Sequence, residues 1–134
     1  MVSCVKCSLR RRSGRGFTLI ELLVVMAIIA TLLAIALPRY FVSLERAKEA
    51  TLRQDLAVMR EAIDKYSGDT GHFPATLPEL VEKRYLRALP EDPITKSVDT
   101  WTTTSSGDAD APGITDVHSG AEGNAMDGRP YVEF

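Results

Sequence analysis

The chain has 134 residues, 45% of them hydrophobic, and a formal net charge of −2. That balance gives no basic excess for a general electrostatic footprint on nucleic acid, and two cysteines at the start of the chain leave the rest without a disulfide framework. No phosphate loop, nucleophile elbow, dinucleotide fingerprint or zinc-protease motif occurs, and His72 and His118 stand in no such context, so the chain is read as a non-enzyme.

Residues 1–16 carry Lys6, Arg10, Arg11, Arg12 and Arg15 and no acid, which by the positive-inside tendency places this end in the cytoplasm and the C-terminal part outside. Cys4 and Cys7 have Cys-x-x-Cys spacing, but no second pair exists to complete a zinc site. From Phe17 to Leu37 all residues but Thr18, Glu21 and Thr31 are apolar. A helix of that length spans about 31 Å, close to the hydrocarbon thickness of a bilayer, and predicts a single membrane crossing. A carboxylate inside such a segment is costly unless neutralised or paired, and Glu21 is expected to find its partner on another molecule.

The junction Gly16-Phe17-Thr18-Leu19-Ile20-Glu21, with its basic leader and apolar helix as far as Pro38, resembles the processing motif of type IV pilins and of the pseudopilins of type II secretion. The resemblance implies that a membrane-embedded prepilin peptidase cuts between Gly16 and Phe17 and N-methylates Phe17. A free α-amine is largely cationic at neutral pH, so cleavage creates the positive charge that Glu21 lacks. With an axial stagger between subunits, Glu21 reaches the Phe17 amine of a neighbour, and the pair sets register more than it adds stability. A secretory signal cut after Ala34-Ile35-Ala36 and a plain single-pass anchor are two further readings, and both leave Glu21 without a role. Loss of residues 1–16 takes away five cations and both cysteines, leaving 118 residues of net charge −7.

Pro38 is expected to kink the helix rather than end it. Leu44, Leu52, Leu56, Met59, Ile63 and Tyr66 form a helical stripe, with Glu49–Arg53 and Glu61–Lys65 as i,i+4 pairs on the polar face. Ser67-Gly68-Asp69-Thr70-Gly71 ends a helix of about fifty residues. The chain therefore divides into the leader 1–16, a transmembrane and assembly helix 17–37, its amphipathic continuation 38–67, and a loop and small-sheet region 68–134.

Tyr66, Asp69, Gly71, Phe73 and Pro74 resemble the helix-to-loop transition of the major pseudopilin, although Ile94-Thr95-Lys96 intervene before Trp101 where that family turns directly. Leu77–Val81 reads as a short helix and Leu89–Pro93 as a rigid extended segment. Val98–Thr104, Ile114–His118 and Arg129–Phe134 read as short strands, giving an α+β, type IV pilin-like class with a small antiparallel sheet. The core is thin, and such a domain usually needs a staple. Asp116, Ser119, Glu122 and Asp127 offer hard oxygen ligands in a glycine-rich loop. The pseudopilin resemblance implies a calcium ion there, with Asp116, Ser119 and Asp127 on or near its acidic positions. Asp108–Ser119 imitates the opening of an EF-hand but lacks its closing glutamate.

The resemblance implies a structural subunit of a type II secretion pseudopilus, needing no cofactor for chemistry. Its implied partners are further copies, other pseudopilins, the prepilin peptidase and an inner-membrane platform with a cytoplasmic ATPase. It would sit in the inner membrane with its C-terminal domain in the periplasm, and pass into a periplasmic filament on assembly. A type IV pilus subunit and a membrane-anchored domain that never polymerises are the alternatives.

Overall fold

The computed structural model describes residues 16–110 and 112–134, so the leader cations and both cysteines lie outside the described residues. The architecture is α+β: a long helix α1 (Leu19–Thr70), a short helix α2 (Leu77–Glu82), strands β1 (Thr102–Ser105) and β2 (Ile114–His118), and a 3-10 turn at Tyr131–Glu133. Two compact units are distinguished, one ending at Arg39 and one of Tyr40–Phe134.

In the first unit, every described residue is exposed. Helix α1 is long and apolar enough there to cross a membrane. Leaving large aliphatic side chains in water costs about 1.5–3 kcal/mol each, so this surface needs lipid or another protein against it. Pro38 lies inside α1 without ending it.

In the second unit, α1 buries Leu52, Leu56, Met59, Ala62, Ile63 and Tyr66 along one face. Leu80, Leu86, Trp101, Ile114, Val117, Ala121, Ala125, Tyr131 and Phe134 belong to the same core. Two assignments made for this helix are corrected. Leu44 is exposed at 38%, because the core begins further along the helix. Glu49 is not on the polar face paired with Arg53. It sits three residues before Leu52 on the buried stripe, and its carboxylate accepts the Met126 N–H at 2.7 Å.

The C-terminal end of α1 is joined to α2 by side chains. The Tyr66 hydroxyl donates to Glu79 at 2.7 Å, and Glu79 also accepts the Ala75 N–H at 2.8 Å. Donation to a carboxylate, reinforced by burial, pushes the Tyr66 pKa up to about 12, while the same bond holds Glu79 below its ordinary value. The neutral phenol is thus favoured in the folded state. Its contribution is complete below the unfolded tyrosine pKa near 10 and is lost as pH rises through about 12. Alkaline titration is expected to give a late tyrosinate absorbance step that coincides with unfolding seen by Trp101 fluorescence; in Tyr66→Phe that step shrinks, the remainder belonging to Tyr85 and Tyr131, whose hydroxyls are also pushed up.

The sheet is a two-stranded antiparallel hairpin pairing Thr102 with His118, Thr103 with Val117 and Thr104 with Asp116, then shifting register so that Ser105 faces Ile114. The extra residue, Thr115, donates its hydroxyl to the Thr104 carbonyl at 3.1 Å. This bulge explains an anomaly of pattern: Ile114 and Val117, three apart, are both buried. A regular strand would put them on opposite faces, and one inserted residue returns them to the same one.

The first predicted strand is shorter than Val98–Thr104. Asp92 and Ser97 bridge around a turn, Val98 is exposed, and Trp101 enters the core with its indole N–H on the Pro90 carbonyl at 2.9 Å. Ile114–His118 forms as expected. Arg129–Phe134 is not a strand: Pro130 makes a single bridge with Asn124, and Tyr131–Glu133 closes into a 3-10 turn. Proline supplies no ladder N–H, and the turn directs both Tyr131 and Phe134 into the core.

Candidate processing and assembly site

Gly16 and Phe17 precede α1 in exposed, irregular backbone, with the Phe17 side chain 91% exposed. A peptide bond open to cleavage must be accessible, and the residues flanking the Gly16–Phe17 bond are exposed. Thr18 follows as the residue before the helix. Its N–H and hydroxyl both donate to Glu21 Oε2, at 2.8 and 3.0 Å, while the Glu21 N–H points back to the Thr18 hydroxyl at 3.3 Å. This is a capping box, in which residues three apart satisfy each other's orphan groups at a helix N-terminus.

Within its own chain the Glu21 carboxylate thus has neutral hydrogen-bond donors but no cation among the described residues. Thr18 supplies two hydrogen bonds, and the carboxylate also lies against the positive end of the helix dipole. The signal was present in Thr18-x-x-Glu21, a capping-box spacing directly before an apolar run. Thr31, the remaining polar residue of the span, returns its hydroxyl to the Ala27 carbonyl at 2.8 Å. All three polar interruptions of the apolar segment therefore have partners within that segment, as a lipid environment demands.

Among the described residues Glu21 makes no ion pair, and Gly16, Phe17, Thr18 and Glu21 line one open depression. The site contains a carboxylate, a cleavable bond and hydrogen-bond donors. Among the described residues it contains no second titratable group for acid–base chemistry.

The C-terminal loop places the expected calcium ligands apart in function. Asp116 Oδ1 accepts Arg60 Nε at 2.6 Å and the Val117 N–H at 2.8 Å. Burial pushes the Asp116 carboxyl up, but the bonds from Arg60 and Val117 and the charges of Arg60 and His118 outweigh it and hold it below its ordinary value. The Ser119 hydroxyl is fully buried and donates to Asp92 at 2.5 Å. Asp127 accepts Arg129 Nε and Nη2 at 2.9 and 2.8 Å and Arg53 Nη2 at 3.3 Å, and these bonds lower its pKa. Glu122 is exposed. Among the described residues no group of three or more His, Cys, Asp or Glu side chains is arranged to hold a metal ion. Arg60 and Asp92, which with Glu49 organise this region, were not singled out from the sequence, and Glu49 was read as a surface partner of Arg53. Only Glu49 carried a usable signal, a charge in register with the apolar stripe.

Comparison with known proteins places this geometry. The family described as the prokaryotic N-terminal methylation motif matches residues 11–37, the segment that includes Gly16, Phe17 and Glu21. The type II secretion system core protein G of Klebsiella michiganensis is 31% identical over 101 residues, covering 63% of this chain and 71% of that protein. The protein of the same name from Pseudomonas aeruginosa is 33% identical over the same length and with the same coverage. That of Escherichia coli is 33% identical over 95 residues, covering 59% of this chain and 66% of the relative. No solved structure matches the chain. A methylation motif heading an uncovered apolar helix, together with relatives aligned far beyond that helix, shows that the chain belongs to the family of type II secretion system core protein G, the major pseudopilins.

Proposed function

We propose that this chain is a structural subunit of a type II secretion pseudopilus, which polymerises through its N-terminal helix and supports export of folded proteins across the outer membrane. The observation that carries the reading is the helix surface following Phe17, apolar and wholly exposed, headed by a single carboxylate. Such a surface needs an apolar environment, and a filament of staggered copies supplies one when the subunit leaves the bilayer.

On this reading the prepilin peptidase removes residues 1–16 and methylates the Phe17 amine. Glu21 then exchanges its capping contact for the cationic Phe17 amine of a neighbouring copy. The basic leader holds the N-terminus in the cytoplasm and the C-terminal domain in the periplasm. A cytoplasmic ATPase acting through an inner-membrane platform drives extraction from the bilayer, and the subunit itself catalyses nothing.

N-terminal mass spectrometry of the protein from membranes of cells with and without a prepilin peptidase tests the reading. The expected species is an N-methylated chain beginning at Phe17, present only with the peptidase. An intact leader, or cleavage after Ala36, would return the chain to the anchored or secreted class.

A further inference from the structure

The pseudopilin resemblance implies calcium in the C-terminal loop, and the donor set of this chain does not fit one. Calcium takes six to eight oxygens at about 2.3–2.6 Å, largely from carboxylates free to turn toward it. Here both oxygens of Asp127 are engaged by Arg129 and Arg53, Oδ1 with the Arg129 N–H at 3.1 Å and Oδ2 with the guanidinium groups. Asp116 is engaged by Arg60, its second oxygen lying 3.5 Å from His118 Nε2. The Ser119 hydroxyl accepts the Ala121 N–H at 3.1 Å while donating to Asp92, so its lone pairs are not directed at a loop cation. A divalent ion would have to displace guanidinium groups and bear their repulsion.

We infer that an arginine clamp replaces the metal in this chain: Arg53, Arg60 and Arg129 hold the C-terminal loop and 3-10 turn against α1, and the domain folds without calcium. Arg60 is the hub. One guanidinium reaches Asp116 on β2 through Nε at 2.6 Å, and through Nη2 the main-chain oxygens of Val117 at 2.9 Å and Phe134 at 2.8 Å. It thereby ties the helix to a strand and to the segment beyond the loop. Arg53 and Arg129 complete the arrangement. They share Asp127 and lie over the Phe134 ring, with guanidinium carbons 4.8 and 4.9 Å from its centroid.

The two cations thus grip one carboxylate and one aromatic ring, a charge-assisted and cation–π arrangement that only planar guanidinium groups make well. Glu49 adds a further link from α1 by accepting the Met126 N–H. The inference does not rest on the filament reading, since it concerns how the domain is held together.

The test uses the full-length protein in detergent, with Trp101 fluorescence, from the sole tryptophan, following thermal unfolding. A bound calcium would raise Tm by mass action, whereas the clamp predicts the same Tm in millimolar calcium and in excess chelator, to within about 1 °C. Arg60→Met is expected to lower Tm by about 5 °C or more and to open the 119–130 loop to proteolysis in both conditions, with Arg60→Lys restoring only part of the loss. A calcium-dependent rise in Tm of about 5 °C in the wild-type protein would overturn the inference, a result that needs no variant to fold. Unchanged Tm and protease resistance in Arg60→Met would overturn it equally.

Discussion

Glu21→Ala is expected to leave cleavage at Gly16 intact and to reduce incorporation into filaments by roughly tenfold or more, because it leaves the Phe17 amine of a neighbouring copy unpaired in an apolar environment. Two contacts of Glu21 must be separated in the measurement. In the chain itself the carboxylate caps α1 through Thr18, so alanine removes both a cap and a charge. Glu21→Gln distinguishes them. The amide oxygen still accepts from Thr18 and preserves the helix start, yet it carries no charge for the amine. If charge pairing sets register, both variants are processed normally and both fail to assemble. Quantifying the processed subunit in sheared filaments against that remaining in membranes decides the matter, and normal incorporation of Glu21→Gln would leave capping as the sole role of the residue.

Gly120→Ala is expected to destabilise the domain by about 3 kcal/mol, the upper end for an overpacked site, lowering Tm by more than about 12 °C. Gly120 follows Ser119 at the start of the loop, and a Cβ there would fall on the Thr100 carbonyl oxygen, well inside van der Waals contact. The obstacle is main chain, so no side chain can swing away. It also lies directly before Trp101, whose burial fixes the start of the hairpin. Gly113 is constrained for two reasons: its φ is +136°, and a Cβ would come within 2.6 Å of both the Phe73 Cβ and carbonyl oxygen. Gly107 supplies the contrast, having nothing within 4 Å of the same position, and Gly107→Ala should shift stability by less than about 0.5 kcal/mol. Thermal melts of Gly107→Ala, Gly113→Ala and Gly120→Ala followed by Trp101 fluorescence would rank them; equal stability of Gly120→Ala and wild type would mean that Thr100 has room to move.

The contrast between the two ends of the molecule explains what could be read from its residues. The helix α1 was legible because its determinants are periodic and local: an apolar run, a stripe at spacings of three and four, and a terminating Ser-Gly-Asp-Thr-Gly. Ile114–His118 was legible from its β-branched residues between glycine- and aspartate-rich loops, but its bulge was not, since register is a property of two strands. The segment Arg129–Phe134 has the apolar alternation of a strand, and Pro130 overrides it by leaving one bridge in place of a ladder.

The loop was harder to read for a different reason. Asp116, Ser119 and Asp127 were grouped by closeness in sequence, while the groups that engage two of them come from α1, with Arg60 separated from Asp116 by 56 positions and Arg53 from Asp127 by 74. Nothing in the local spacing distinguishes an acid waiting for a cation from one already supplied with a guanidinium. Glu49 shows the complementary failure: its i,i+4 relation to Arg53 fits a solvated pair, whereas tertiary contacts direct both to the loop, Glu49 to the Met126 N–H and Arg53 to Asp127.

The uncovered helix surface also bears on how easily such a polymer could be taken apart. Moving aliphatic side chains between lipid tails and the side chains of neighbouring subunits exchanges one hydrocarbon-like medium for another, so that transfer contributes little net free energy in either direction. What biases the exchange is the small polar set at the helix head, Thr18 and Glu21, together with close packing. A bilayer can therefore act as a reservoir for such subunits, and the greasiness of the helix alone does not set the direction of traffic.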